Sequence, residues 1–155
     1  MKLPLEIIQS KSGASYLGIR LCYKLKSSEQ SQLESIFNSE FLERCFANRK
    51  VRDGERHHIT IMSPREFSMI DKPSLHSIAN LAFDLVVQPV SAAHTKGATV
   101  FFAPVECGAA NEYRRSYGLG VRDFHITIGF WPNDIHTIRK SQKGLSRSYR
   151  YLVEK

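Results

Sequence analysis

A chain of 155 residues, 42% hydrophobic, 10% aromatic and 24% charged, has the size and composition of one ordinary globular domain with a substantial core. Its formal charge of +7, from 22 Lys and Arg against 15 Asp and Glu, favours an anionic partner but does not decide one, since surplus charge also aids solubility. No apolar run approaches the ~20 residues of a membrane span, and the opening MKLPLEIIQSKSG, broken by Glu6 and Gln9, lacks a secretory apolar core. The expectation is a single domain over 1–155, monomeric, cytoplasmic and away from membranes.

In chain order, ASYLGIRLCY (14–23) places Leu17, Ile19 and Leu21 on one face at period two and predicts a strand. Ser27 with Gln30 fits a capping box ahead of a helix carrying Leu33, Ile36, Phe37, Phe41, Leu42, Cys45 and Phe46, which Asn38-Ser39 can break or restart. Asp53-Gly54 is a hairpin-turn dipeptide, leading into a strand through HHITIM that Pro64 ends. A second helix is expected near 74–83. A strand pair at 83–90 and 98–106 follows, joined by SAAHTKG, with Pro89 and Pro104 marking edges or ends. Residues 107–118 read as a helix stopped by Gly118; a strand then runs to the turn WPND, and LSRSYRYLVEK alternates as a last strand. Cys22, Cys45 and Cys107 form no CxxC pair and suit small core positions in a reducing compartment.

His-Ile-Thr-Ile occurs twice, at 58–61 and at 125–128, each time after a strand and then a helix. In a strand, residues i and i+2 share a face, so His58 projects with Thr60 and His125 with Thr127, while the isoleucines face the other way. Alternating His/Thr and Ile is also what any half-buried strand looks like. Two copies in matching contexts favour function, because two half-domains can each supply one imidazole and one hydroxyl to a shared cleft. That set suits phosphoryl chemistry without a metal. One neutral His takes a proton from the attacking oxygen, the other as imidazolium protonates the leaving oxygen, and the Thr hydroxyls hold non-bridging oxygens.

On these residues the sequence resembles the 2H phosphoesterase superfamily, also called LigT-like or cyclic phosphodiesterases, whose signature is two H-x-[T/S]-x motifs. Both tetrapeptides match at every required position, and YGLGVRDFHITIGFWPNDIH looks most like the RNA-repair branch. The resemblance implies an α+β fold of two pseudo-symmetric lobes of antiparallel sheet, with outer helices around a central cleft. It implies a phosphodiesterase acting on a 2′,3′-cyclic phosphate or 2′,5′-type phosphodiester of RNA ends or small nucleotides, with no metal or other cofactor. His58, His125, Thr60 and Thr127 are the expected catalytic residues.

Around this core, Arg56 and Arg122 stand just before the repeats and are expected to reach phosphate oxygens. Trp131, beside Pro132, and Tyr151 are expected to stack a base. Phe130 suits core packing better; Tyr113 and Lys96 are weaker candidates. His57 should face away from the cleft, and His76, His94 and His136 carry no motif. With no HExxH, no paired Cys and no carboxylate at ligand spacing to either repeat, a zinc site is not expected. The basic tail from Ile135 suits either a polyanion or plain solvation. The competing reading is a non-catalytic RNA- or nucleotide-binding module using the same cleft; a metal-dependent phosphate-ester hydrolase stands third, without the carboxylates it needs.

Overall fold

The computed structural model describes residues 1–73, 75–95, 97–136 and 140. The expected last strand over 145–153 therefore lies outside the described residues. In order, these carry β1 (Lys2–Pro4), β2 (Glu6–Gln9), β3 (Ser15–Leu21), α1 (Ser27–Ile36), α2 (Ser39–Asp53), β4 (His57–Met62), α3 (Pro64–Met69) and α4 (Leu75–Ala79). Then come β5 (Ala82–Asp84), β6 (Val86–Val87), β7 (Ser91–Thr95), β8 (Ala98–Glu106), α5 (Gly108–Ser116) and β9 (Phe124–Trp131).

Seven strands make one antiparallel sheet in the order β2-β3-β4-β9-β8-β6, with β7 also paired to β8; β1 and β5 form a separate small ribbon. The fold is α+β, and its two lobes are the two halves of this one sheet. Their seam is the β4–β9 pair, the two strands that carry the repeats. β3 flanks β4 as β8 flanks β9, so each motif strand has its own antiparallel outer neighbour.

The main core joins the sheet to the helices. Ile59, Ile61, Ile126 and Ile128 from the repeats pack with Leu17 and Ile19 of β3, Leu33 of α1, Leu42 and Cys45 of α2, Phe67 of α3 and Ala110 of α5. Asn38 starts α2, its Oδ1 accepting from Glu40 N–H at 2.8 Å, so the interruption expected at Asn38-Ser39 is a helix boundary.

Several local expectations change. The cap of α1 is not Ser27: the Glu29 carboxylate takes the Lys26 N–H at 3.3 Å. Asp53-Gly54 is no hairpin turn; Asp53 ends α2, and Gly54, at φ 83°, is the cap that a side chain would strain. Pro64 begins α3, where Ser63 and Glu66 form a reciprocal capping box. SAAHTKG, expected as a connection, supplies β7.

Candidate active site

Ile59 and Ile126 are Cα partners in the β4–β9 ladder. In antiparallel register, one step either way puts His58 across from Thr127 and Thr60 across from His125, with all four side chains on the face opposite the core. All four line one cleft of about 820 Å³.

A second feature repeats with the motif. Gly18 pairs with Thr60 but Leu17 with Met62, so Ile61 is an extra residue on β4. Phe102 pairs with Thr127 but Phe101 with Gly129, so Ile128 is the extra residue on β9. The last Ile of each tetrapeptide is thus a β-bulge, which ends the alternation after the Thr and turns the following residue inward. Met62 is fully buried, and a Cβ on Gly129 would lie 2.9 Å from the Cys45 backbone of α2.

The two imidazoles are held differently. His125 Nδ1 lies 3.1 Å from the Asp123 carbonyl. A carbonyl only accepts, so Nδ1 carries the proton and Nε2 keeps its lone pair. Phe102 meets the His125 ring edge-on, with centroids 6.2 Å apart. His58 Nδ1 instead faces the Asp53 carboxylate at 3.8 Å, with the Tyr16 ring edge-on at 5.6 Å. Burial lowers both pKa values, that of His125 to about 4 with help from the nearby Lys140. At His58 burial is opposed by Asp53.

Asp53 belongs to a chain of charges. Arg52 grips its carboxylate through Nε at 2.7 Å and Nη2 at 2.8 Å, reaches Asp134 through Nη1 at 2.7 Å, and lies over the Phe130 ring at 4.6 Å. Asp134 also accepts from Lys140 Nζ at 3.2 Å. Burial alone would raise the Asp134 pKa, but Lys140 and Arg52 hold it down.

Residues 15–136 match the family model described as Swiss Army Knife, 2H phosphoesterase domain. The chain belongs to the 2H phosphoesterase family. No curated protein and no solved structure matches it. As a 2H phosphoesterase it is a hydrolase of phosphodiesters.

Of the other expected residues of this 2H phosphoesterase, Arg56 and Arg122 line the cleft. Asn111 clamps the Arg122 backbone, taking its N–H at 2.9 Å and donating to its carbonyl at 3.3 Å. The Arg122 guanidinium faces Glu66 at 3.6 Å, while its buried Nε has no hydrogen-bond partner among the described residues. Trp131 does not line the cleft, a correction to its expected stacking role. The bulge at Ile128 reverses the alternation, so Trp131 packs toward α2, with Arg44 over its ring at 5.1 Å. Phe130 lands instead on the cleft face, in a small cluster with Val100, Phe102 and Ile135. Tyr113 packs against Phe83 and Tyr117, away from the cleft. His57 stacks edge-on with Tyr23 at 5.5 Å and lines a separate hollow with Arg49 and Phe46, while also bordering the cleft. Tyr151 and Lys96 lie outside the described residues.

Tyr16, Arg20, Asp53 and Asp134 line the cleft without having been singled out. For Tyr16 and Arg20 the signal was present: with Gly18 they form the second face of β3, opposite Leu17, Ile19 and Leu21. Asp53 was masked by the turn reading of Asp-Gly, and Asp134 by that of WPND. Among the described residues no three His, Cys, Asp or Glu side chains gather as a metal-binding set, and no helix is long and apolar enough to cross a membrane.

Proposed function

We propose that this 2H phosphoesterase hydrolyses a 2′,3′-cyclic phosphate or 2′,5′-type phosphodiester of RNA ends or small nucleotides by metal-independent acid–base catalysis. The observation that carries this reading is the crossed arrangement of His58–Thr127 and Thr60–His125 in one cleft. Two imidazoles on adjacent strands can serve the attacking and the leaving oxygen at once, and a hydroxyl beside each can donate to a non-bridging oxygen.

The environments favour His125 as base and His58 as acid. The His125 Nε2 lone pair, fixed by the bond at Nδ1, takes the proton of the attacking water as its oxygen bonds to phosphorus. His58, whose imidazolium is favoured by Asp53, gives its proton to the sugar oxygen as that P–O bond breaks. The product is a phosphomonoester. The histidines finish with their protonation exchanged and are reset by solvent.

The deciding experiment is hydrolysis of a panel of 2′,3′-cyclic and 2′,5′-linked nucleotides, with and without excess chelator. Turnover that survives chelation is expected. Loss on chelation, restored by a divalent ion, would reject metal independence, and binding without turnover would leave a nucleotide-binding module.

A further inference from the structure

The approximate two-fold that relates the motif strands is broken at their outer neighbours, and the break is chemical. Gly18 stands beside Thr60 where Phe102 stands beside Thr127; Arg20 stands beside His58 where Pro104 stands beside His125. At the His125 end, Phe102 and the small apolar cluster fill the space. At the His58 end, Gly18 leaves none to spare for a side chain, its Cβ position being 2.8 Å from the Ile59 carbonyl oxygen. The substituents there come instead from Arg20, Arg56 and the β2–β3 hairpin, whose tip includes Lys11.

These cations differ from the others in the cleft. Arg52 is taken up by Asp53 and Asp134, and Arg122 faces Glu66. The Arg20 guanidinium has no hydrogen-bond or ion-pair partner among the described residues. Among those residues Arg56 reaches only the Arg20 carbonyl, at 3.3 Å, and Lys11 only that of Val51. Of the acids on this side of the cleft, Glu55 is bound to Lys50 at 2.8 Å, and Asp53, beside His58, is held through both oxygens by Arg52. Three positive groups therefore border the His58 end without an ion-pair partner among the described residues, and carbonyl contacts leave their charge unneutralised.

We infer that Arg20, Arg56 and Lys11 form a second anion subsite, which takes a phosphate of the substrate other than the one being cleaved. The inference rests on the proposed nucleotide phosphodiesterase reading. The reacting phosphate occupies the His and Thr side chains, and Arg20, directly across the ladder from His58, is one side chain farther along the cleft. A 5′-phosphate or the next backbone phosphate supplies the matching charge. The subsite would then fix which end of the substrate lies at His58.

The test compares a nucleoside 2′,3′-cyclic phosphate, the same compound with a 5′-phosphate, and a dinucleotide ending in the cyclic phosphate. The wild-type protein should prefer the phosphate-bearing substrates by about 10- to 100-fold in kcat/KM at low salt, the range for charge-assisted hydrogen bonds. That ratio should shrink as salt rises. Arg20→Gln and Arg56→Gln should collapse it, whereas Arg44→Gln, on the far face at Trp131, should not. The two phosphate-bearing substrates separate a terminal phosphate from a backbone one. Calorimetric binding of adenosine 3′,5′-bisphosphate against adenosine 3′-monophosphate reads the subsite without turnover. If nothing is hydrolysed but the bisphosphate preference persists and needs Arg20, the proposed function fails and the subsite stands. A wild-type ratio near one, or an equal fall for all substrates in Arg20→Gln, would overturn the subsite.

Discussion

Ile59 faces Ile126 across the central ladder, and this buried pair sets the register of the whole site. Slipping β4 past β9 by one residue would turn either the isoleucines or the histidines to the wrong face. Both isoleucines are fully buried, so the core resists that slip. The apolar half of each tetrapeptide thus holds the His and Thr of the other half in place at the cleft.

His58→Ala and His125→Ala should each lower kcat by on the order of 10²–10⁴, the usual contribution of a general acid or base. The double variant should cost far less than the product of the singles, because the pair acts as one unit. Thr60→Val and Thr127→Val keep shape and lose one donor each, so about a tenfold to hundredfold loss is expected. Folded single His variants with full activity would reduce the repeat to two similar strands.

Much of this was legible in the sequence because a strand exposes alternate residues to one environment. Leu17, Ile19 and Leu21 announced the core face of β3, and the duplicated His-x-Thr announced the cleft. What stayed hidden depends on how distant segments meet. Nothing local says that β4 and β9 are neighbours, that Asp53 at the end of α2 faces His58, or that α4 is one short turn rather than a helix through 83. Trp131 misled for a physical reason: one bulged residue upstream reversed its face, and bulges carry no reliable local signature.

The pH dependence of kcat/KM should be a bell displaced to the acid side of neutrality. An ordinary imidazole pair would centre it near pH 6.5, but burial holds both pKa values below 6.5, with His125 at about 4. The limbs of kcat/KM report the free enzyme, so its maximum is expected between about pH 4 and pH 6.5. A bound phosphate anion raises both values, and the kcat profile should lie at higher pH. A kcat/KM maximum above pH 7 would contradict the desolvated cleft.

Gly129→Ala should destabilise the protein by about 1–3 kcal/mol through overpacking. The added Cβ would meet the Cys45 carbonyl carbon at 2.9 Å and its oxygen at 3.0 Å, main-chain atoms of α2 that cannot rotate away. Chemical denaturation with an unchanged m-value would register the loss. Equal stability would mean that α2 yields to β9 more easily than its packing indicates.

Glu66 joins α3 to α5. Its carboxylate receives Arg114 Nη1 at 2.8 Å and Nη2 at 2.7 Å, and Arg114 also donates to the Ile61 carbonyl at 2.8 Å. The Arg114 hydrogen bonds, opposed by burial, bring the Glu66 pKa down to about 2 from 4.5. A depressed carboxyl stabilises the fold above its unfolded pKa, so this contribution is full above pH 4.5 and disappears as pH falls toward 2. His57 and His125, both near 4 when folded, add a separate loss that begins as pH drops below 6.5. Glu66→Gln should cost about 3 kcal/mol or more at pH 7 by leaving Arg114 buried without its counter-charge. In a stability–pH series it should flatten the decline below pH 4.5 and keep the one between 6.5 and 4.

Asp53→Asn isolates the assignment of His58 as the acid. The amide keeps the size of the carboxylate and an acceptor for Arg52, which also retains Asp134 at 2.7 Å, so the scaffold should persist. What disappears is the negative charge 3.8 Å from His58 Nδ1, which opposes the effect of burial on that imidazole. The His58 pKa should then fall further, moving the basic limb of kcat/KM to lower pH and cutting activity on that limb. The acidic limb, set by His125 against the Asp123 carbonyl, should stay where it is. A purely structural Asp53 would lower the melting temperature without moving either limb. Movement of the acidic limb alone would make His58 the base and reverse the direction of proton transfer.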